Sequence, residues 1–135
     1  MQRDHRLARP ACADALPGLV LGATLGGERA ALLLTSSGVG NCVNTFSLLQ
    51  NCGAPCVLLV TMRGEFNDFN PWQRPMGQIT GETLKLCGFI VYRVEEEKDV
   101  EALVAAACDM AYGGNFQTAV LLSQRMINRM KGGHH

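Results

Sequence analysis

This chain lacks an excess of either charge, has almost no histidine, and contains no apolar run long enough to cross a membrane. Twelve lysines and arginines balance twelve aspartates and glutamates. That balance removes the clustered positive charge with which a protein holds nucleic acid or an anionic membrane surface, so neither is expected as a partner. A spanning helix takes about 20 apolar residues, and no stretch approaches that length. Of the three histidines, His5 and the pair His134 and His135 lie near the ends. A Ser-His-Asp or Cys-His mechanism therefore has no base in the body of the chain. No group of carboxylates and histidines shows metal-ligand spacing, so no metal site is expected. Internal repeats and low-complexity segments are absent as well.

The six cysteines (Cys12, Cys42, Cys52, Cys56, Cys87 and Cys108) include no Cys-x-x-Cys pair. Most lie on apolar, periodic positions and read as small buried hydrophobes in a reducing compartment. Arg3, Arg6 and Arg9 imitate the start of a secretory signal, but Pro17, Gly18 and Gly22 break the apolar stretch that should follow. Cytoplasm is the expected location.

What is present is one domain's worth of chain, 135 residues with 47% apolar and 18% charged side chains. Residues 1–15 read as an irregular segment, 16–130 as an α/β domain and 131–135 as a tail. A short helix is predicted from Leu16 to Leu25. A continuous apolar run from Ala30 to Thr35 reads as a strand covered on both faces. Ser36 to Asn41 reads as a turn with Asn41 as N-cap, opening a helix to Asn51 with Val43, Phe46 and Leu49 buried. Cys56 to Met62 is the next strand, and a polar-aromatic loop from Arg63 to Gly77 follows it. A helix then spans Gln78 to Cys87, with Ile79, Thr83, Leu84 and Cys87 on one side. Phe89 to Val94 is a strand, and Asp99 caps a helix whose apolar stripe is Val100, Leu103, Val104, Ala107, Cys108 and Ala111. Thr118 to Leu122 is the last strand. Strands alternating with helices imply a three-layer, doubly wound, mostly parallel sheet. Four strands make a thin sheet for that class, as though an opening strand-helix unit were lacking.

Two segments sit where open α/β sheets place ligands, beyond the carboxyl ends of strands. In Ser36-Ser-Gly-Val-Gly-Asn41 the two glycines allow close approach of backbone to a ligand, and the N–H groups opening the next helix favour an acceptor. It fits neither a P-loop nor Gly-x-Gly-x-x-Gly. The plain alternative is a tight strand-to-helix connection. The loop from Arg63 to Gly77 places Arg63, Gln73 and Arg74 beside Trp72. Arginine next to an aromatic suits a small acid. The plain alternative there is a solvated or subunit-contacting loop.

Gly22-Ala-Thr-Leu-Gly-Gly27, Ala31-Leu-Leu-Leu-Thr-Ser-Ser-Gly-Val-Gly-Asn41, Met62-Arg-Gly64 and Pro75-Met-Gly77 together resemble the α subunit of sulfopyruvate and phosphonopyruvate decarboxylases. The likeness runs from about Leu19 to Leu122. It implies the pyrimidine-binding (PYR) fold of a thiamine-diphosphate enzyme that decarboxylates a 2-oxo acid. It further implies a pyrophosphate-binding (PP) β subunit holding the diphosphate and magnesium through a Gly-Asp-Gly motif that this chain lacks, in a hetero-oligomer. Ser37, Gly38, Gly40 and Asn41 would line the cofactor, and Arg63, Gln73, Arg74 and Gln78 the substrate. The family's catalytic glutamate falls, by ungapped counting, on Asp14, and the family's opening strand-helix-strand region has no counterpart. An N-terminally shortened relative is one reading of that departure. Two other functions stand beside the enzyme subunit: a non-catalytic relative of the same fold, and a small flavodoxin-like ligand-binding module.

Overall fold

The structure, a computed structural model, describes residues 12–132. It is an α/β fold built on a four-stranded, wholly parallel sheet in the order β1-β2-β4-β3. After a 3-10 turn at Ala13–Ala15 come α1 (Leu16–Leu25), β1 (Ala31–Thr35), α2 (Ser36–Cys42), α3 (Phe46–Cys52) and β2 (Cys56–Thr61). The second half is α4 (Arg74–Leu86), β3 (Ile90–Val94), α5 (Val100–Gly114), β4 (Gln117–Leu122) and α6 (Gln124–Gly132). His5, His134 and His135, and the expected irregular segment up to residue 11, lie outside the described residues.

Each face of the sheet has its own core. On one face Val20, Val39, Phe46, Leu49 and Leu84 from α1 to α4 close over Leu32, Leu58 and Val60. There the Phe46 and Phe89 rings meet edge to face at 4.9 Å. On the other face Ala107 and Ala111 of α5 and Met126 of α6 cover Val57, Val94 and Val120. Burying a side chain of this kind stabilises the fold by about 1.5–3 kcal/mol. β2 and β4 are sandwiched between both layers, which is why their sequences are almost uniformly apolar.

Several elements differ from their sequence reading, each for a tertiary reason. β1 is apolar throughout but covered on one face only: Leu32 is buried, while Ala31, Leu33 and Thr35 are exposed, Leu33 at 72%. It is an edge strand. The α5–α6 layer meets it at its start, where the Tyr112 hydroxyl donates to the Ala30 carbonyl at 2.6 Å. The glycine turn is not a turn, because α2 begins at Ser36 directly after β1, with Thr35 rather than Asn41 at its N-cap. Ser36, Val39 and Cys42 recur on one stripe and are all buried, and that packing overrides the poor helix propensity of glycine and serine. A break at residues 43–45 separates α2 from α3, leaving Val43 partly exposed.

α4 starts at Arg74, so Arg74, Pro75, Met76 and Gly77 are helical rather than in a loop, with Pro75 in the first turn where its missing N–H costs nothing. Ile79 faces outward, and Gly77, Thr80 and Leu84 form the buried stripe instead. Asp99 stands at the N-cap of α5 without a capping side-chain bond. All six cysteines are free thiols, but Cys12 and Cys52 are exposed rather than buried. No described helix is long and apolar enough to cross a membrane.

Candidate active site

The helices after β1 and β2 lie on one face of the sheet and those after β3 and β4 on the other. The sheet therefore has its topological switch point between β2 and β4, where open α/β folds usually leave a ligand crevice at the carboxyl ends. Here the chain's own side chains close that crevice. Gln124, the first residue of α6, is buried; its Oε1 accepts from the Glu65 and Phe66 N–H groups, both at 3.0 Å. Its Nε2 donates to Asp68 at 2.8 Å.

Asp68 is the centre of the loop after β2. Its carboxylate accepts from five donors: Arg63 Nε (2.8 Å) and Nη2 (2.9 Å), the Gly64 N–H (2.8 Å), the Asn70 N–H (2.9 Å) and Gln124 Nε2 (2.8 Å). The Arg63 hydrogen bond, then the backbone and Gln124 donors, hold its acid form well below the usual carboxylate range against the opposing effect of burial. Arg63 is raised in turn by that same bond. On the far side Glu65 pairs with Arg93 at 2.7 Å, and Arg93 is raised chiefly by its bond to Glu65.

The neck of the loop is tied where its two ends cross. Gly64 has φ +70°, and a Cβ there would stand 2.3 Å from the Gln73 carbonyl oxygen; one on Gly77 would stand 2.0 Å from that of Arg63. No side chain fits at either position. The Gln78 amide adds a bond to the Gly64 carbonyl at 3.2 Å. The segment from Arg63 to Gln73 is thus a closed, self-packed loop of the Ω type, joined to α2 by the Arg63 N–H donating to the Ser36 hydroxyl at 3.1 Å.

The second polar region lies on the other side of α2. Asp14, in the 3-10 turn, and Asn41, near the end of α2, line one shallow open cleft together with Cys12 and Ala13. The turn is fixed to α2 by the Cys42 thiol, which donates to the Ala13 carbonyl at 3.0 Å. Burial, with a smaller contribution from Asp14, pushes that thiol up to about 11, so it stays protonated and inert at neutral pH.

The structure thus brings Asp14 and Asn41 together. Ser37 is partly buried, and its hydroxyl pairs with that of Thr35 at 3.1 Å. Gly38 lies in the first turn of α2, in ordinary contact with Leu34. Gly40 admits the Met76 sulfur, which would lie 3.0 Å from a Cβ, so this glycine lets α4 approach α2. Among the four residues expected on the substrate side, Arg63 is engaged by Asp68 and Gln78 by Gly64. Arg74 is exposed with no ion pair among the described residues. The Gln73 Oε1 is buried without a hydrogen-bond partner. Sequence reading missed the clamp formed by Asp68 and Gln124. The one signal for Gln124 is its place just past the carboxyl end of β4, where crevice residues fall.

Comparison with known proteins finds similar sequences and a similar fold. The sulfopyruvate decarboxylase subunit alpha of Methanocaldococcus jannaschii is 30% identical over 105 residues, 77% of this chain and 62% of that one. The corresponding subunit of Methanococcus maripaludis is 29% identical over 106 residues. The phosphonopyruvate decarboxylase of Streptomyces viridochromogenes is 35% identical over 89 residues, 22% of its length. The chain spans less than two thirds of the relatives it matches, 62% and 64% of the two alpha subunits. No family model matches it. Among solved structures, the 2-oxoglutarate:ferredoxin oxidoreductase from Magnetococcus marinus superimposes with a TM-score of 0.65. The match covers 90% of this chain and 22% of that one at 14% identity, a likeness of fold. Over about three quarters of its length, the chain is similar to sulfopyruvate decarboxylase α subunits.

Proposed function

We propose that this chain is the PYR-domain α subunit of a thiamine-diphosphate-dependent decarboxylase of 2-oxo acids such as sulfopyruvate or phosphonopyruvate. It acts in the cytoplasm with a separate PP-domain β subunit. The observation that carries this reading is the homology to α subunits named for that reaction. The cleft of Asp14 and Asn41 supports it, because a carboxylate and an amide there face outward, available to a ring and to a second polypeptide.

The residues present fit one end of the cofactor. Asp14 would contact the aminopyrimidine ring, one methylene short of the glutamate that the resemblance implies, while Ser37, Gly38, Gly40 and Asn41 would form the adjoining wall. Thiamine diphosphate, when bound, supplies the electron sink for loss of carbon dioxide. Arg74 would hold the anionic end of the substrate, and the orphaned Gln73 oxygen would accept a hydrogen bond beside it. Arg63 and Gln78 would act by holding the loop that carries them. The chain has no Gly-Asp-Gly motif, in keeping with the diphosphate and magnesium belonging to the β subunit.

The test is purification with a Gly-Asp-Gly-bearing polypeptide, sought first in the neighbouring reading frames, followed by decarboxylation assays on sulfopyruvate and phosphonopyruvate. Aldehyde formation by the complex, and by neither subunit alone, is the expected result. Asp14 in place of a glutamate favours a second reading, a non-catalytic relative of the same fold. An inert complex that Asp14→Glu fails to rescue would establish that one.

A further inference from the structure

The tip of the clamped loop displays two large apolar rings to solvent. Phe69 is 90% exposed and Trp72 84%, with Phe66 half-exposed on the same loop. Scattered apolar side chains are ordinary on a surface. Three aromatics on one short loop, in a chain that is only 6% aromatic, are not scattered.

The loop holds them rigidly. Asp68 and Gln124 fix its middle, Gly64 and Gly77 its neck, and the Asn70 side chain accepts from the Trp72 N–H at 3.1 Å, setting the 3-10 turn at Pro71–Gln73. Aromatic side chains carried on a preformed backbone lose little freedom on docking, which is the property of interface anchors. Asp68 neutralises Arg63 and Glu65 is paired with Arg93, so the charge left unpaired around the rings is positive. Arg63 lies 5.3 Å from the Phe69 ring, Arg125 lies 4.6 Å from the Phe66 ring, and Arg74 follows Trp72 closely in the chain. Arg74 and Arg125 have no ion pair among the described residues.

We propose that Phe69 and Trp72 are docking anchors for the second polypeptide of the enzyme, seated in an apolar socket rimmed by aspartate or glutamate. This rests on the two-subunit reading above. The same loop is joined to the start of α2 through Arg63 and Ser36, so docking would bear on the helix that also carries Asn41.

The experiment measures the dissociation constant between this full chain and the Gly-Asp-Gly-bearing subunit from the same genome, at low and high salt. Three variants accompany it: Phe69→Ser with Trp72→Ser, Arg74→Glu, and Leu86→Ser as an equally exposed apolar control. The double variant is expected to weaken association about 30-fold or more with an unchanged urea midpoint. Arg74→Glu should weaken it about 10-fold at low salt and less at high salt. Leu86→Ser should do nothing. A wild-type complex whose affinity the double variant leaves intact would overturn the docking proposal and spare the functional one. Absence of any wild-type complex would overturn both. Self-association of the chain, lost in the double variant, would make a second copy the occupant and overturn the proposal as stated.

Discussion

The two polar regions flanking α2 are built in opposite ways. In the loop after β2, almost every polar group is answered from within the chain: Asp68 by five donors, Glu65 by Arg93, Gln124 by two backbone N–H groups. In the cleft of Asp14 and Asn41, the side chains face solvent, and the Cys42 thiol ties the backbone beneath them. The first region holds its own backbone, with the Gln73 Oε1 left as its unanswered buried polar atom. The second has the character of one wall of a site. Buried, fully satisfied networks hold a conformation, whereas polar groups left open at low cost are free to take a ligand or a partner.

The comparison breaks most severely at the glycines of the loop neck. Gly77→Ala, whose Cβ would overlap the Arg63 carbonyl, should cost about 3 kcal/mol or more in chemical denaturation or prevent folding. Gly40→Ala meets only the flexible Met76 thioether and should cost about 1 kcal/mol. The cleft should respond in the contrary sense. Asp14→Ala should leave the urea midpoint unchanged, yet lower decarboxylation by the assembled enzyme about 100-fold.

These outcomes bear on how much the sequence revealed. β2 was legible because both its faces are covered, so every position had to be apolar. β1 has the same composition for a different reason and could not be told from it, since nothing local records that Leu33 lies on an uncovered edge. The glycine-rich segment after β1 read as a loop because its propensities are those of a loop; the burial of Ser36, Val39 and Cys42 decides otherwise. The neck glycines were visible as motifs, but their purpose, a crossing of two backbone segments, appears only when the loop closes on itself. The Asp68–Gln124 bond joins residues 56 positions apart, and no periodicity marks it.

A third test concerns the clamp by itself. Asp68→Asn should lower the urea midpoint at neutral pH and flatten its acid limb. With the native acid form depressed, the carboxylate's contribution is complete above the unfolded value of about 4 and is lost as pH falls through and below it. A variant whose stability declines as steeply as wild type below pH 4 would show that Asp68 is not the group responsible. At the start of α4, Arg74→Gln should raise the KM for an anionic 2-oxo acid about 10-fold with little change in kcat. The smallest effect belongs to the bare edge, where Leu33→Thr in the isolated chain should stay within about 0.5 kcal/mol of wild type.

Calorimetric titration of thiamine diphosphate with magnesium, into this chain alone and into its complex with the Gly-Asp-Gly-bearing subunit, addresses the half-site most directly. Saturable binding by the complex, with none by the chain at the same concentrations, is the expected result. Equal binding by the solitary chain would contradict it.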